Sequence, residues 1–286
     1  TFNELEKKPL NYLILDPFLF NNKDRIESFK ECEQIYNPIL SDLYLKLNQI
    51  HNIKWSKKSW EILVGYWLKK FIYIIFFKYN NLKNVFENKK IDKVCLSEIQ
   101  SYHLASHEST HIQDLSIDND WSWILYSKIF NYFNHKGIEI DIFKNEKENF
   151  YEDQTFFEKQ VKNNLKKKII HSYNFLTNKF LSNNRNFIVG TYLPILEEKK
   201  LEILFGQVPT FYIPPYIKYS SSNFNLRKQI FLNKECSIKE KIIRDLLPYY
   251  LPTFMLENFR ILKDTVAKHN YPKNPKFIFT SNIFES

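Results

Sequence analysis

His107-Glu108-Ser109-Thr110-His111 is the sharpest stretch whose residue types and spacing could do chemistry. It fits the pattern H-E-x-x-H. On a helix, imidazoles four residues apart project from one face and bind zinc, leaving the glutamate as general base. The surroundings do not favour that. Ala105, Ser106, Ser109 and Thr110 supply no apolar face for packing a zinc helix. No third ligand follows at short spacing, although His135 or a carboxylate could be proposed. The expected state is an exposed polar segment. A zinc-dependent hydrolase built on His107, Glu108 and His111 stands as the alternative, and metal analysis of the purified protein would decide it.

A second group crowds between His51 and Leu68: His51, Trp55, Trp60, Gly65 and Trp67. Trp60 and Trp67 are seven apart and share a helical face. The plain reading is core packing. The functional reading is a platform for a sugar or other acceptor, with His51, just ahead of the helix, as general base. A third group lies near the C-terminal end. Leu246-Leu247-Pro248-Tyr249-Tyr250-Leu251-Pro252 is followed by Glu257, then by a strand-like run ending in Thr280-Ser281-Asn282. Ligands of open α/β sheets bind outside the carboxyl ends of the strands. Thr280, Ser281 and Asn282 are therefore candidate cleft residues, against a plain reading as turn chemistry. No G-x-G-x-x-G, Walker loop or G-x-S-x-G elbow occurs. With four glycines, the chain cannot build a Gly-rich phosphate cradle.

These groups need elements to hold them. Apolar residues Tyr36, Ile39, Leu40, Leu43, Leu47 and Ile50 predict a helix over 34–50. A wider stripe, Trp60 to Ile75, predicts a largely buried helix over 58–78, with Ser59 as a plausible cap. Val94–Leu96 reads as a short strand. Asp120 could cap a helix carrying Trp121, Ile124, Leu125 and Ile129 inward. The charged stretch 141–168 runs into a long helix ending near Leu181. Phe187–Val189 reads as a strand, 195–205 as a helix closed by Gly206, and 238–247 and 253–268 as helices. Lys276–Phe279 reads as a last strand. Helices alternating with short apolar strands predict an α/β domain. The expected division is a peripheral segment over 1–33 and one domain with helical insertions over 34–286.

Composition narrows the class. Hydrophobic residues make up 44% and aromatics 17%, enough for a large core. The net charge of +9 invites an anionic partner. However, the lysines are scattered with no arginine stripe, as AT-biased coding produces, so nucleic acid is not expected. A basic binding scaffold remains as a non-enzymatic alternative. Cys32, Cys95 and Cys236 are far apart and odd in number, which fits a reducing, cytoplasmic compartment. The longest apolar run, Phe71–Phe77, is too short to span a bilayer. The chain begins at Thr1 and stops at Ser286 just after a strand, so an incomplete domain is expected.

The combination of stretches resembles a bacterial family of transferases found in surface-carbohydrate gene clusters. The likeness rests on Leu47–His51 with Ser59–Leu68, and on Asp120-Trp121 opening a helix with Tyr126. It rests also on the Leu-Pro-x-x-Leu-Pro run with Glu257, and on the Phe-Thr-Ser-Asn strand end. Lys58-Ser59 replaces an Arg-Tyr pair usual before the first tryptophan, and Tyr66 replaces a proline before the second. Phe77-Lys78 stands near a usual Asp-Arg pair. The resemblance implies a Rossmann-like, acceptor-side half of a GT-B glycosyltransferase. It implies transfer from a nucleotide-activated sugar donor to a glycan or lipid-linked glycan acceptor, as in lipopolysaccharide synthesis. The work would be cytoplasmic, with peripheral contact at the inner membrane. No cofactor or metal is required. On this reading His51 or Glu257 is the base, Trp60 and Trp67 line the acceptor site, and Thr280, Ser281 and Asn282 position substrate. The donor's phosphates would be held by a second half with a Gln-His-Gly-Gly type loop.

Overall fold

The computed structural model describes residues 22–98, 104–144, 169–170, 172–173, 176, 185–211, 220–232, 235–269 and 271–280. Two long helices form its frame: α1 (Asn22–His51) and α2 (Lys57–Asn88). In α1 the core stripe is Cys32, Ile35, Tyr36, Ile39, Leu40, Leu43 and Leu47, the three-four spacing of a one-faced helix. The helix begins well before residue 34. Residues 22–33, expected to be peripheral, thus belong to it, with Cys32 in the core. Helix α2 is capped by Ser56 rather than Ser59: the Ser56 hydroxyl accepts the Ser59 N–H at 3.0 Å, satisfying one of the first-turn donors. Its buried face runs from Trp60 through Asn80.

Gly65 lies where the two helices meet. A β-carbon there would come within 2.8 Å of the Tyr36 hydroxyl, so the absent side chain lets the Tyr36 ring tip lie against the α2 backbone. The turn between the helices is held by Asn48. Its carboxamide donates to Trp55 O at 2.8 Å and accepts from Trp55 N at 3.1 Å and from the Trp60 indole N–H at 2.8 Å. Asn52 supplies the positive φ of 54° that the tight return needs.

Strand β1 (Lys93–Glu98) follows, then α3 (Ile112–Ile117), α4 (Asn119–Phe130) and β2 (Glu139–Lys144). The two strands are parallel, in register from Lys93 opposite Glu139 to Glu98 opposite Lys144. A parallel pair needs a crossover, and α4 packs on both β1 and α2. Asp118, not Asp120, caps α4 by accepting Trp121 N at 2.8 Å. Strand β2 was not expected. Its charged residues Glu139, Asp141 and Lys144 break up the apolar Ile140, Ile142 and Phe143, so no apolar run marks it.

The later elements are β3 (Phe187–Ile188), α5 (Ile195–Leu204), α6 (Phe224–Arg227), α7 (Ile238–Tyr250), α8 (Phe259–Lys268) and β4 (Ile278–Phe279). Gly206 follows α5 at a φ of 70°, as its place after the helix predicts. The helix expected over 253–268 is shorter. Thr253–Met255 is a single 3-10 turn and α8 starts only at Phe259. Strands β3 and β4 pair in parallel. The chain is thus mixed α/β and mostly helical. Among the described residues the strands form two separate parallel pairs, not one continuous Rossmann-type sheet. The long helix expected after residue 145 lies largely outside the described residues.

The core gathers α1, α2, α4 and α7. Trp67 stacks on Phe71 at 4.8 Å, Phe71 meets Tyr250 at 5.4 Å, and Tyr250 meets Trp121 edge-on at 5.4 Å. Removing Trp67, which is 1% exposed, leaves a cavity at the centre of this seam. Trp67→Ala should cost about 3–5 kcal/mol, read as a lower midpoint in urea unfolding.

Candidate active site

Between α7 and α8 the chain runs largely buried, with the 3-10 turn Thr253–Met255 as its one piece of regular structure. Leu251, Thr253, Met255, Leu256 and Asn258 are all in the interior. Buried backbone N–H and C=O groups must find partners, and here many partners are the side chains singled out by type. Nε2 of His51 donates to Met255 O at 3.0 Å. A carbonyl only accepts, so His51 carries its proton on Nε2. Its ring stacks on Phe259 at 4.2 Å and faces Trp60 at 6.0 Å. Burial pushes its pKa below the ordinary imidazole value; Arg260 pushes the same way, while the Met255 bond opposes.

Glu257 faces Arg227 across a bidentate pair. Nε donates to Oε1 at 2.7 Å and Nη2 to Oε2 at 2.8 Å, while Asn223 N also donates to Oε1. The guanidinium's remaining nitrogen, Nη1, donates to Pro248 O at 2.8 Å and Leu251 O at 2.9 Å. One fork therefore fixes the Glu257 carboxylate, the Leu251 carbonyl at the start of the segment and the Pro248 carbonyl in the last turn of α7. Arg227 was not anticipated. Its only sequence signal is an arginine in a chain that mostly uses lysine.

The His107–His111 stretch packs on the same segment. Thr253 N donates to Ser106 O at 2.9 Å and Phe254 N to His107 O at 3.1 Å. Nδ1 of His107 shares a hydrogen bond with the Thr253 hydroxyl at 3.1 Å. That hydroxyl also accepts from Asn258 Nδ2, and Asn258 Oδ1 accepts from Ser220 N. Residues 107–111 are bends and turns that end where α3 begins at Ile112. The one-faced helix that a zinc reading requires is not formed. Nε2 of His111 lies 3.9 Å from a Glu108 oxygen, and among the described residues no three His, Cys, Asp or Glu side chains converge on a metal position. Burial lowers the pKa of both imidazoles. His107 is lowered further by His111 and raised by Glu108; for His111, Glu108 and Asp114 oppose the fall. The stretch is half-buried rather than the exposed segment expected.

Trp60 and Trp67 are sealed in the core, at 0% and 1% exposure, so neither presents a face to a sugar. Trp55 keeps part of its surface, resting against Trp60 and Phe259 at 5.3 Å each. Thr280 lies on a different element, at the carboxyl end of β4. Its hydroxyl is 3.5 Å from Gly190 O in the turn leaving β3. Gly190 has a φ of 59°, open to glycine without strain. Thr191 in the same turn donates to Glu198 at 2.6 Å. Ser281 and Asn282 lie outside the described residues.

A model of the LIC12162 family of transferases matches residues 2–286. The chain belongs to the LIC12162 transferase family. No curated protein and no solved structure matches it at a significant level. Membership makes group transfer the class of reaction. Among the described residues, no helix of this family member is long and apolar enough to cross a membrane.

In this LIC12162-family chain the fork between Arg227 and Glu257 is almost wholly enclosed, with side chains 1% and 4% exposed. Glu257→Gln leaves a buried guanidinium without its counter-charge and should cost about 3–5 kcal/mol, measured by chemical denaturation. His51 gives an acid limb to stability. Its folded pKa lies below the ordinary 6.5, so as pH falls the unfolded chain takes the proton first. Its contribution is complete above that ordinary value and drains away as pH drops through the folded one. Thermal midpoints should therefore fall as pH drops from neutral through the ordinary imidazole value and below it. In His51→Gln, whose carboxamide can donate to Met255 O without titrating, the fall should be shallower.

Proposed function

We propose that this LIC12162-family chain is a glycosyltransferase of GT-B character. It moves a sugar from a nucleotide-activated donor to a surface-glycan or lipid-linked glycan acceptor, and contributes the acceptor-side wall of the cleft. The observation that carries the reading is the carboxyl end of the β3–β4 pair. There, the Gly190 turn and the Thr280 hydroxyl meet, at the end of parallel strands where α/β proteins bind ligands. The scarcity of glycine supports the same division of labour, because a pyrophosphate cradle has to come from elsewhere.

In this reading Thr280, with Ser281 and Asn282 after it, orients substrate. The acceptor hydroxyl gives its proton to an imidazole as its oxygen bonds to the sugar's anomeric carbon. The bond from that carbon to the donor phosphate breaks, and the electron pair leaves with the phosphate. A base at His51 or Glu257 would first have to release Met255 or Arg227. We assign the proton to His107, which Thr253 orients. His51 and Glu257 then act by holding the segment on which His107 rests. Trp55 takes over the stacking role expected of Trp60 and Trp67. From Phe259 to the end of α8 is ten residues, about 15 Å at the usual rise, a span that an extended glycan acceptor covers.

The test is transfer by the full chain from a panel of nucleotide sugars, with saturation-transfer NMR to detect donor and acceptor binding. Thr280→Val should weaken binding roughly fivefold to tenfold, the worth of one hydrogen bond. His107→Ala should lower turnover about 10²–10⁴-fold. Absence of both binding and transfer across the panel defeats the reading. Transfer that survives both substitutions defeats the residue assignments alone.

A further inference from the structure

Among the described residues, the two most deeply buried arginines are paired with carboxylates. Arg227 holds Glu257, and Arg244 holds Asp42 and Glu240 at 2.7 Å. Lys78, on α2, is 6% exposed and has no carboxylate partner among the described residues. Its amine sits over the ring of Tyr126 on α4, 4.2 Å from the centroid. A desolvated cation–π contact supplies about 2 kcal/mol, against several for taking an ammonium out of water. Burial accordingly pulls the Lys78 pKa down to about 8. A methionine of similar shape would serve the packing better. The polar group is therefore held at a cost that the core does not repay.

The next turn of α2 adds to the position. Lys78 and Asn81 are three apart, on one face. Asn81 Nδ2 donates to the Tyr126 hydroxyl at 3.2 Å, so that oxygen is used as an acceptor and its own proton is left to donate. Burial raises the Tyr126 pKa and keeps that proton in place. An uncompensated positive charge and an O–H donor thus flank one spot. Both suit an oxyanion, and neither suits a cation. Lys78 is eighteen residues beyond Trp60 on the same helix, about 27 Å along its axis.

We propose that Lys78 and Tyr126, braced by Asn81, form a second binding site, one for a small phosphate-bearing anion. The ammonium supplies the counter-charge and the phenol the directional hydrogen bond. This inference does not rest on the glycosyl-transfer reading.

The experiment uses the full chain with 13C-labelled lysine side chains. The ε-carbon resonance of Lys78 is identified by its loss in Lys78→Met. Titration with inorganic phosphate, and separately with a sugar phosphate, should shift that resonance saturably and raise its pKa. A shift with the sugar phosphate alone makes the ligand an ester rather than the free ion. Lys78→Met should raise the thermal midpoint in buffer without phosphate and abolish the midpoint gain that phosphate gives the wild type. Tyr126→Phe keeps the ring beneath the amine but loses the O–H, and should weaken binding roughly fivefold to tenfold. The proposal is overturned if neither anion shifts Lys78 saturably or if Tyr126→Phe binds as tightly as the wild type. It is equally overturned if Lys78→Met lowers the midpoint, which would mean the amine already has a stabilising partner.

Discussion

A stretch of chain that is interior and holds no more than a single 3-10 turn must have most of its polar backbone satisfied from outside itself. The residues between α7 and α8 impose that demand here, and much of the surrounding structure answers it. Arg227 takes the Leu251 carbonyl, His51 takes that of Met255, and the backbone of Ser106 and His107 pairs with two N–H groups. Asn258 ties the segment to itself through Thr253 and to Ser220. Elements far apart in sequence are thereby held to one place: the end of α1, the turn before α3, α6, and the start of α8. The residues best able to do chemistry by type are the ones spent on this task.

The helical frame makes the segment's position possible. Asn48 closes the return between α1 and α2 and hooks the Trp60 indole, which sets Trp60 and Trp55 around Phe259. Higher along α2, Trp67 and Phe71 carry the core to Tyr250 and Trp121. One helix therefore serves the packing around Phe259 at its start, the α4 and α7 packing in its middle, and the Lys78 position nearer its end.

Much of this frame was legible in the residues. The stripes of α1, α2, α4 and α7 follow the helical period, and the short apolar runs at Val94, Phe187 and Ile278 marked three of the four strands. The fourth, β2, was masked because its exposed edge carries Glu139, Asp141 and Lys144. The failures share a physical origin. Periodicity reports which side of an element is dry, but not what a buried side chain bonds to. Trp60 and Trp67 share a face, as expected, and that face is the core. His107 drew notice through a metal-binding pattern. Its bond to Thr253 spans 146 residues, and no local rule contains it. Glu257 is flagged by type alone, whereas its meaning comes from Arg227, thirty residues away.

The two parallel strand pairs also bear on the order in which the molecule assembles. Strands β1 and β2 are joined across 46 residues, and the meeting of Thr280 with Gly190 closes a loop of 90. Such closures are slow relative to helix pairing, because chain entropy is lost before contacts repay it. The α1–α2 hairpin, joined by a turn of a few residues, has no such delay. The strand end that carries Thr280 is therefore among the last parts to be set, and it waits on a helical scaffold that is already built.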